Sequence, residues 1–106
     1  MDYKTLARNL GLEENEYLEM ITLFVEVSNS DLDRWEAGLQ QSDAEKVRES
    51  AHSIKGAAVN LGLQEIGDTA FKVEVNAREK NLTGAPEAAS KIRKMLDQLA
   101  DEIKSK

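Results

Sequence analysis

The chain contains one histidine and no cysteine, so any nucleophilic or acid–base chemistry of an imidazole or thiol falls to His52. Two cations and a glycine stand near it at helical spacing: Arg48 four residues before, Lys55 three after and Gly56 four after. At about 100° per residue those offsets place all of them on one helix face, with Val59 one turn further along. An imidazole free in water titrates near ~6.5, so a large share of it is an uncharged nucleophile at neutral pH. Neighbouring cations favour that uncharged form, and they become partners for the oxygens once a phosphoryl group is attached. Transfer of such a group asks a protein mainly for positioning and electrostatic stabilisation. Gly56 fits that chemistry, because nothing in a core requires a glycine on an outward face. Its cost in a helix is roughly 1 kcal/mol relative to alanine, and its effect is a notch beside the ring.

The helix that presents these residues is legible from its apolar period. Val47, Ala51, Ile54, Ala58 and Leu61 form one stripe facing a core. His52 lies roughly 140° from the centre of that stripe and faces water. Glu49, on the turn before His52, is a solvated carboxylate within reach of orienting the ring.

The run His52-Ser53-Ile54-Lys55-Gly56, with Ala51 before it and Gly62 after it, resembles the phosphorylation-site helix of histidine phosphotransfer (HPt) domains. The following residues Leu63, Ile66, Ala70, Val73-Glu74 and Ala77-Arg78 are similar to the second site-bearing helix of that family. At motif level the resemblance covers about 30 residues, and the helix plan extends it over most of the chain. It implies that His52 is the phospho-acceptor, Lys55 an electrostatic helper and Gly56 the clearance for a partner's active site. It implies response-regulator receiver domains as partners, with a histidine kinase or hybrid histidine kinase upstream. The receiver contributes the aspartate and a divalent ion, usually magnesium, so this chain is expected to hold no cofactor or metal of its own. Arg48, Val59, Phe71 and Val75 are candidates for the partner surface.

The remaining elements must hold that helix in place. Asp2 caps a short helix with apolar Tyr3, Leu6, Ala7 and Leu10, stopped at Gly11. A long helix follows from about Glu13 to Gln41, with Glu13, Glu14 and Glu16 at the positive end of its dipole. Leu18, Ile21, Val25, Ser28, Leu32, Trp35 and Leu39 keep the a/d spacing of a bundle seam. Beside them runs a second stripe, Tyr17, Met20, Phe24 and Val27. Either the first helix covers it or part of it stays exposed as a docking surface.

Ser42-Asp43-Ala44-Glu45 reads as a capping box at the start of the His52 helix, and Gly62 as its left-handed stop. A fourth helix spans roughly Gln64 to Lys80, with Ile66, Ala70, Val73 and Ala77 inward and Phe71 and Val75 outward. Asn81 to Gly84 is a linker. Pro86 opens a fifth helix with Ala88, Ile92, Met95, Leu99 and Ile103 as its inner stripe. Short connections between long amphipathic helices predict antiparallel neighbours. The expected fold is all-α: an antiparallel up-down four-helix bundle with a short additional N-terminal helix, one HPt-like domain over residues 1–106.

Composition narrows the function further. Twenty acidic residues against fourteen basic ones give a net charge of −6, which disfavours a nucleic-acid binder, since that needs a basic stripe. Without cysteine there is no disulfide framework or thiolate metal site, and a lone histidine leaves a structural zinc site too few ligands. No apolar run approaches the ~20 residues of a membrane span, and the opening residues lack the pattern of a secretory signal. A cytoplasmic monomer is expected, either free-standing or a piece of a longer protein. No glycine-rich loop suggests ATP binding, so the chain is expected to carry a phosphoryl group without kinase chemistry of its own. Two rival readings remain. One is the phosphorylated N-terminal domain of a chemotaxis-type histidine kinase, which the same run also resembles. The other is a helical docking module in which His52 is inert.

Overall fold

The computed structural model describes residues 1–106, and they form five α-helices and no strand. These are α1 (Tyr3–Asn9), α2 (Glu14–Gln40), α3 (Ala44–Asn60), α4 (Gln64–Arg78) and α5 (Ala85–Lys104). α2 packs against α3 and α5, and α4 closes the ring by packing against the same two helices. The result is an antiparallel four-helix bundle, with α1 lying against α2. The fold class expected from the sequence is the one observed.

α3 sits as its stripe predicts: Val47, Ala51, Ile54 and Ala58 are buried, and Leu61 follows at the C-cap. Burying a side chain such as Ile54 stabilises the fold by about 1.5–3 kcal/mol. At the start of α3 the cap falls one residue later than the capping box predicts. Ser42 adopts a left-handed conformation with φ 54°, which turns the chain so that Asp43 becomes the cap and accepts from the Lys46 N–H at 3.0 Å. Glu45 does not reach back and pairs with Arg48 instead. Gly62, with φ 77°, ends the helix as expected. α4 stops at Arg78, short of Lys80, which is itself left-handed at φ 63°.

Two core faces are rotated from their predicted stripes. On α2, Tyr17, Ile21, Phe24, Ser28, Asp31, Leu32 and Trp35 are buried, whereas Leu18, Val25 and Leu39 are half-buried. On α5, Ala89 and Leu96 lie deeper than Ala88 and Met95. Each of these helices touches two bundle neighbours, so its buried face is wider than a single a/d seam and centres between the two contacts. The second stripe of α2 divides. Tyr17 packs on Tyr3 of α1 with ring centroids 6.4 Å apart and Phe24 is buried, while Met20 and Val27 remain exposed together with Leu23.

Three polar bonds tie the helix ends to the bundle. Tyr17 donates its hydroxyl to the Leu61 carbonyl at the end of α3, and Tyr3 donates to Glu102 near the end of α5. The Trp35 indole N–H donates to the Ala85 carbonyl at 3.2 Å, where α5 begins.

Candidate functional site

α3 and α4 approach closely because Gly67 offers no side chain at their crossing. A Cβ there would meet Val59 Cγ2 at 3.3 Å and Ala58 Cβ at 3.8 Å. The close approach brings α4's residue 74, two turns beyond Gly67, against the His52 turn of α3. There the Glu74 Oε2 atom stands 2.7 Å from His52 Nδ1. The imidazole side chain is 58% exposed and the carboxylate only 3%. One edge of the ring is therefore fixed inside the protein and the other faces solvent.

Glu74 collects positive charge from both helices. Arg78 Nη2 lies 3.2 Å from Oε2, and Lys55 Nζ lies 3.6 Å from Oε1. Oε1 has no hydrogen-bond partner, so Lys55 meets it as a charge across a small gap. Burial by itself pushes the Glu74 carboxyl up. The hydrogen bond from His52 and the positive charges of the protonated imidazole, Lys55 and Arg78 together outweigh burial, and the group is held below its ordinary value of 4.5. It is thus a carboxylate at neutral pH, and a carboxylate can only accept hydrogen bonds. His52 Nδ1 must donate. In the neutral ring the proton then resides on Nδ1, and Nε2 carries the lone pair on the exposed edge.

The residues singled out in the sequence gather unequally. Lys55 lies in the cluster, its ammonium 5.6 Å from the centroid of the Phe71 ring, so Phe71 borders the site through Lys55. Gly56 opens outward, with nothing within 4 Å of where a Cβ would stand. Val59 and Val75 are exposed. Arg48 turns back along α3 to Glu45, its Nε 3.1 Å from both carboxylate oxygens. Glu49 is solvated, and the carboxylate that meets the ring comes from α4.

Sequence reasoning gave Glu74, Arg78, Asp31 and Ser53 no individual role. Ser53 donates to Asp31 Oδ2 at 2.7 Å, and Arg34 closes on Asp31 Oδ1 at 2.8 Å. This clamp fixes the rotation of α3 against α2 one residue past His52. A signal for both acids was present. Ala70, Val73, Glu74 and Ala77 stand at i, i+3, i+4, i+7, as do Ser28, Asp31, Leu32 and Trp35, so each carboxylate occupies a core position of its helix. A charge placed there must find partners.

The imidazole stands on the outer face of the bundle. A groove of about 390 Å³ lies elsewhere, at the end of the bundle between α1, the start of α4 and α5, lined by Leu6, Ile66, Met95 and Leu99 among others. No group of three or more His, Cys, Asp or Glu side chains is arranged to hold a metal ion. No helix is long and apolar enough to cross a membrane.

The fold is thus a helical bundle that presents one histidine on its outer face, backed by a buried carboxylate. The chain belongs to the Hpt domain family, whose model matches residues 19–102. Among solved structures it is similar to histidine-containing phosphotransfer protein B (HptB) from Pseudomonas aeruginosa PAO1. The two share 28% sequence identity with a TM-score of 0.83, over 99% of this chain and 91% of the other. No curated protein matches the sequence. A phosphotransfer role in a phosphorelay goes with that membership.

Proposed function

We propose that this chain is a phosphorelay intermediate that carries a phosphoryl group on Nε2 of His52. The observation that carries the reading is the bond between His52 Nδ1 and buried Glu74, which leaves Nε2 as the exposed lone pair. In the inward step, that lone pair attacks the phosphorus of a receiver aspartyl phosphate. The P–O bond breaks, its electrons return to the aspartate carboxylate, and the Nδ1 proton stays where it is. Onward transfer runs the same exchange in reverse to another receiver aspartate.

On this reading Lys55, 3.6 Å from Glu74 Oε1, leaves that carboxylate and meets the oxygens of the incoming group. Gly56 gives the receiver's active site room beside the ring. Val59, Phe71 and Val75, with Met20, Leu23 and Val27 on the neighbouring α2, supply apolar surface for docking. Such exposed apolar groups suit a contact that forms and dissociates. The receiver brings the magnesium ion. A histidine kinase or hybrid kinase starts the relay in the cytoplasm, and this chain adds no kinase chemistry.

The test is direct phosphorylation of the domain and its His52→Gln variant, first by phosphoramidate and then by a phosphorylated receiver with magnesium. Intact mass and phosphorus NMR read the product. An acid-labile phosphoryl group on the parent and none on the variant is the expected result. Labelling by phosphoramidate but by no receiver would favour a kinase-fed domain. No labelling of a folded parent would leave a docking module with an inert histidine.

A further inference from the structure

We infer that Glu74 sets the lifetime of the phosphohistidine: as an anionic acceptor it keeps the Nδ1 proton on the ring after Nε2 takes the phosphoryl group, so the group always departs from a protonated imidazole. This rests on His52 being the acceptor and concerns what happens to the group once attached.

The neutral ring already carries its proton on Nδ1, 2.7 Å from Oε2. When Nε2 bonds to phosphorus, that proton remains and the ring becomes cationic. Departure then breaks the P–Nε2 bond, and the electron pair returns to Nε2. The leaving group is neutral imidazole, with its proton still on Nδ1. If the proton were lost in between, the leaving group would be an imidazolate anion, a far stronger base and a far poorer leaving group. A ring in that state stores the phosphoryl group and does not pass it on.

What retains the proton is the charge of the acceptor, beyond its shape. A glutamine in the same place accepts from a protonated Nδ1 through its carbonyl and donates to an unprotonated Nδ1 through its amide, so it favours neither state. A buried carboxylate favours only the protonated one. The groups facing the imidazole are consistent with this role. On α3 they are Lys55, with Arg48 and Glu49 further out, Arg48 being occupied by Glu45. On α4 they are Glu74 and Arg78. From α2, Asp31 accepts from Ser53 and is paired with Arg34. The hydrogen bond from His52 and the charge of Arg78, which stays in place when Lys55 turns to the phosphoryl oxygens, keep Glu74 ionised. Glu74 is the anion in direct contact with the ring.

The experiment compares the pH dependence of phosphohistidine loss in the parent and in Glu74→Gln, both loaded with phosphoramidate and freed of donor. In the parent, loss stays fast into mildly alkaline buffer. In Glu74→Gln the midpoint of the profile falls by at least about one pH unit, and the group lasts roughly ten-fold longer on the alkaline side. An orienting role alone would slow loading and leave that profile in place, so superimposed profiles overturn the inference. If Glu74→Gln takes no label, nitrogen-15 NMR of the loaded parent decides. A ring protonated well above the pH at which free phosphohistidine loses its proton supports the inference, and one that titrates like the free compound overturns it. A parent that takes no label at His52 fails at the earlier step, the acceptor assignment, and is told apart by its unmodified mass.

Discussion

Glu74 and His52 lie 22 residues apart in the chain, on successive helices, and meet at 2.7 Å with one side chain buried and the other in solvent. The pairing divides the imidazole into an inner edge that is fixed and an outer edge that is free. The inner edge sets the tautomer, and the outer edge keeps the exposed lone pair that the proposed transfer requires.

His52→Gln removes the nucleophile while leaving an amide that can still donate to Glu74. Phosphoryl acceptance is expected to vanish. Stability should change by only about 1 kcal/mol, the scale of one exchanged hydrogen bond, because Ala51 and Ile54 carry the packing of that turn. Circular-dichroism melting beside intact mass checks both halves, and a collapsed melt would contradict the off-core placement of residue 52.

Gly56 and Gly38 are both helical glycines with opposite expected responses. Gly56→Leu meets nothing within the domain at Cβ and gains roughly 1 kcal/mol of helix propensity. It should raise the melting temperature and slow transfer from a receiver, while loading by the small donor phosphoramidate is unchanged. Equal receiver rates would remove the steric role.

Gly38→Ala should destabilise the fold. Its Cβ would stand 2.9 Å from Val47 Cγ2 and 3.1 Å from the Asp43 carbonyl, where α2 turns into α3. Overpacking of this kind costs about 1–3 kcal/mol, against about 1 kcal/mol of propensity gained. Denaturant unfolding with an unchanged slope and a lower midpoint is the expected result.

Acid should weaken the bundle through Glu74. Its carboxyl is held below 4.5 in the folded chain, so the unfolded chain binds protons first as pH falls. The stabilisation is complete above the ordinary value and is lost as pH drops through the lowered one. Glu74→Gln should remove that part of the acid dependence, measured as melting temperature against pH from neutrality downward. Parallel curves for parent and variant would show that the carboxylate contributes nothing to acid stability.

Tyr3 offers the opposite window. Burial and the hydrogen bond to Glu102 push its hydroxyl well above its ordinary value of 10.0. The stabilisation of α1 is therefore present below pH 10.0 and is lost as pH rises further. Burial raises the Tyr17 hydroxyl as well, so tyrosinate absorbance should show both tyrosines titrating late in the parent and one of those two late titrations lost in Tyr3→Phe. Ordinary titration of every tyrosine would contradict the docking of α1.

The sequence by itself determined the helices, their order and the outward presentation of His52, because each rests on local information. Apolar residues at 3.6-residue spacing define a face wherever the helix ends up, and Gly62 stops α3 through its own backbone freedom. Lys55 and Gly56 were visible for the same reason, as neighbours of His52 on one turn. The tertiary structure alone decided which partners the local pattern acquires. Arg48, on the same face as His52, pairs with Glu45. Glu49, close in sequence, is solvated, while Glu74 is buried against the ring because the Gly67 crossing sets α4 beside α3. Helix periodicity fixes which way a side chain points. The atom it meets depends on the rotation and separation of a second helix, and those are set by the packing of the whole bundle.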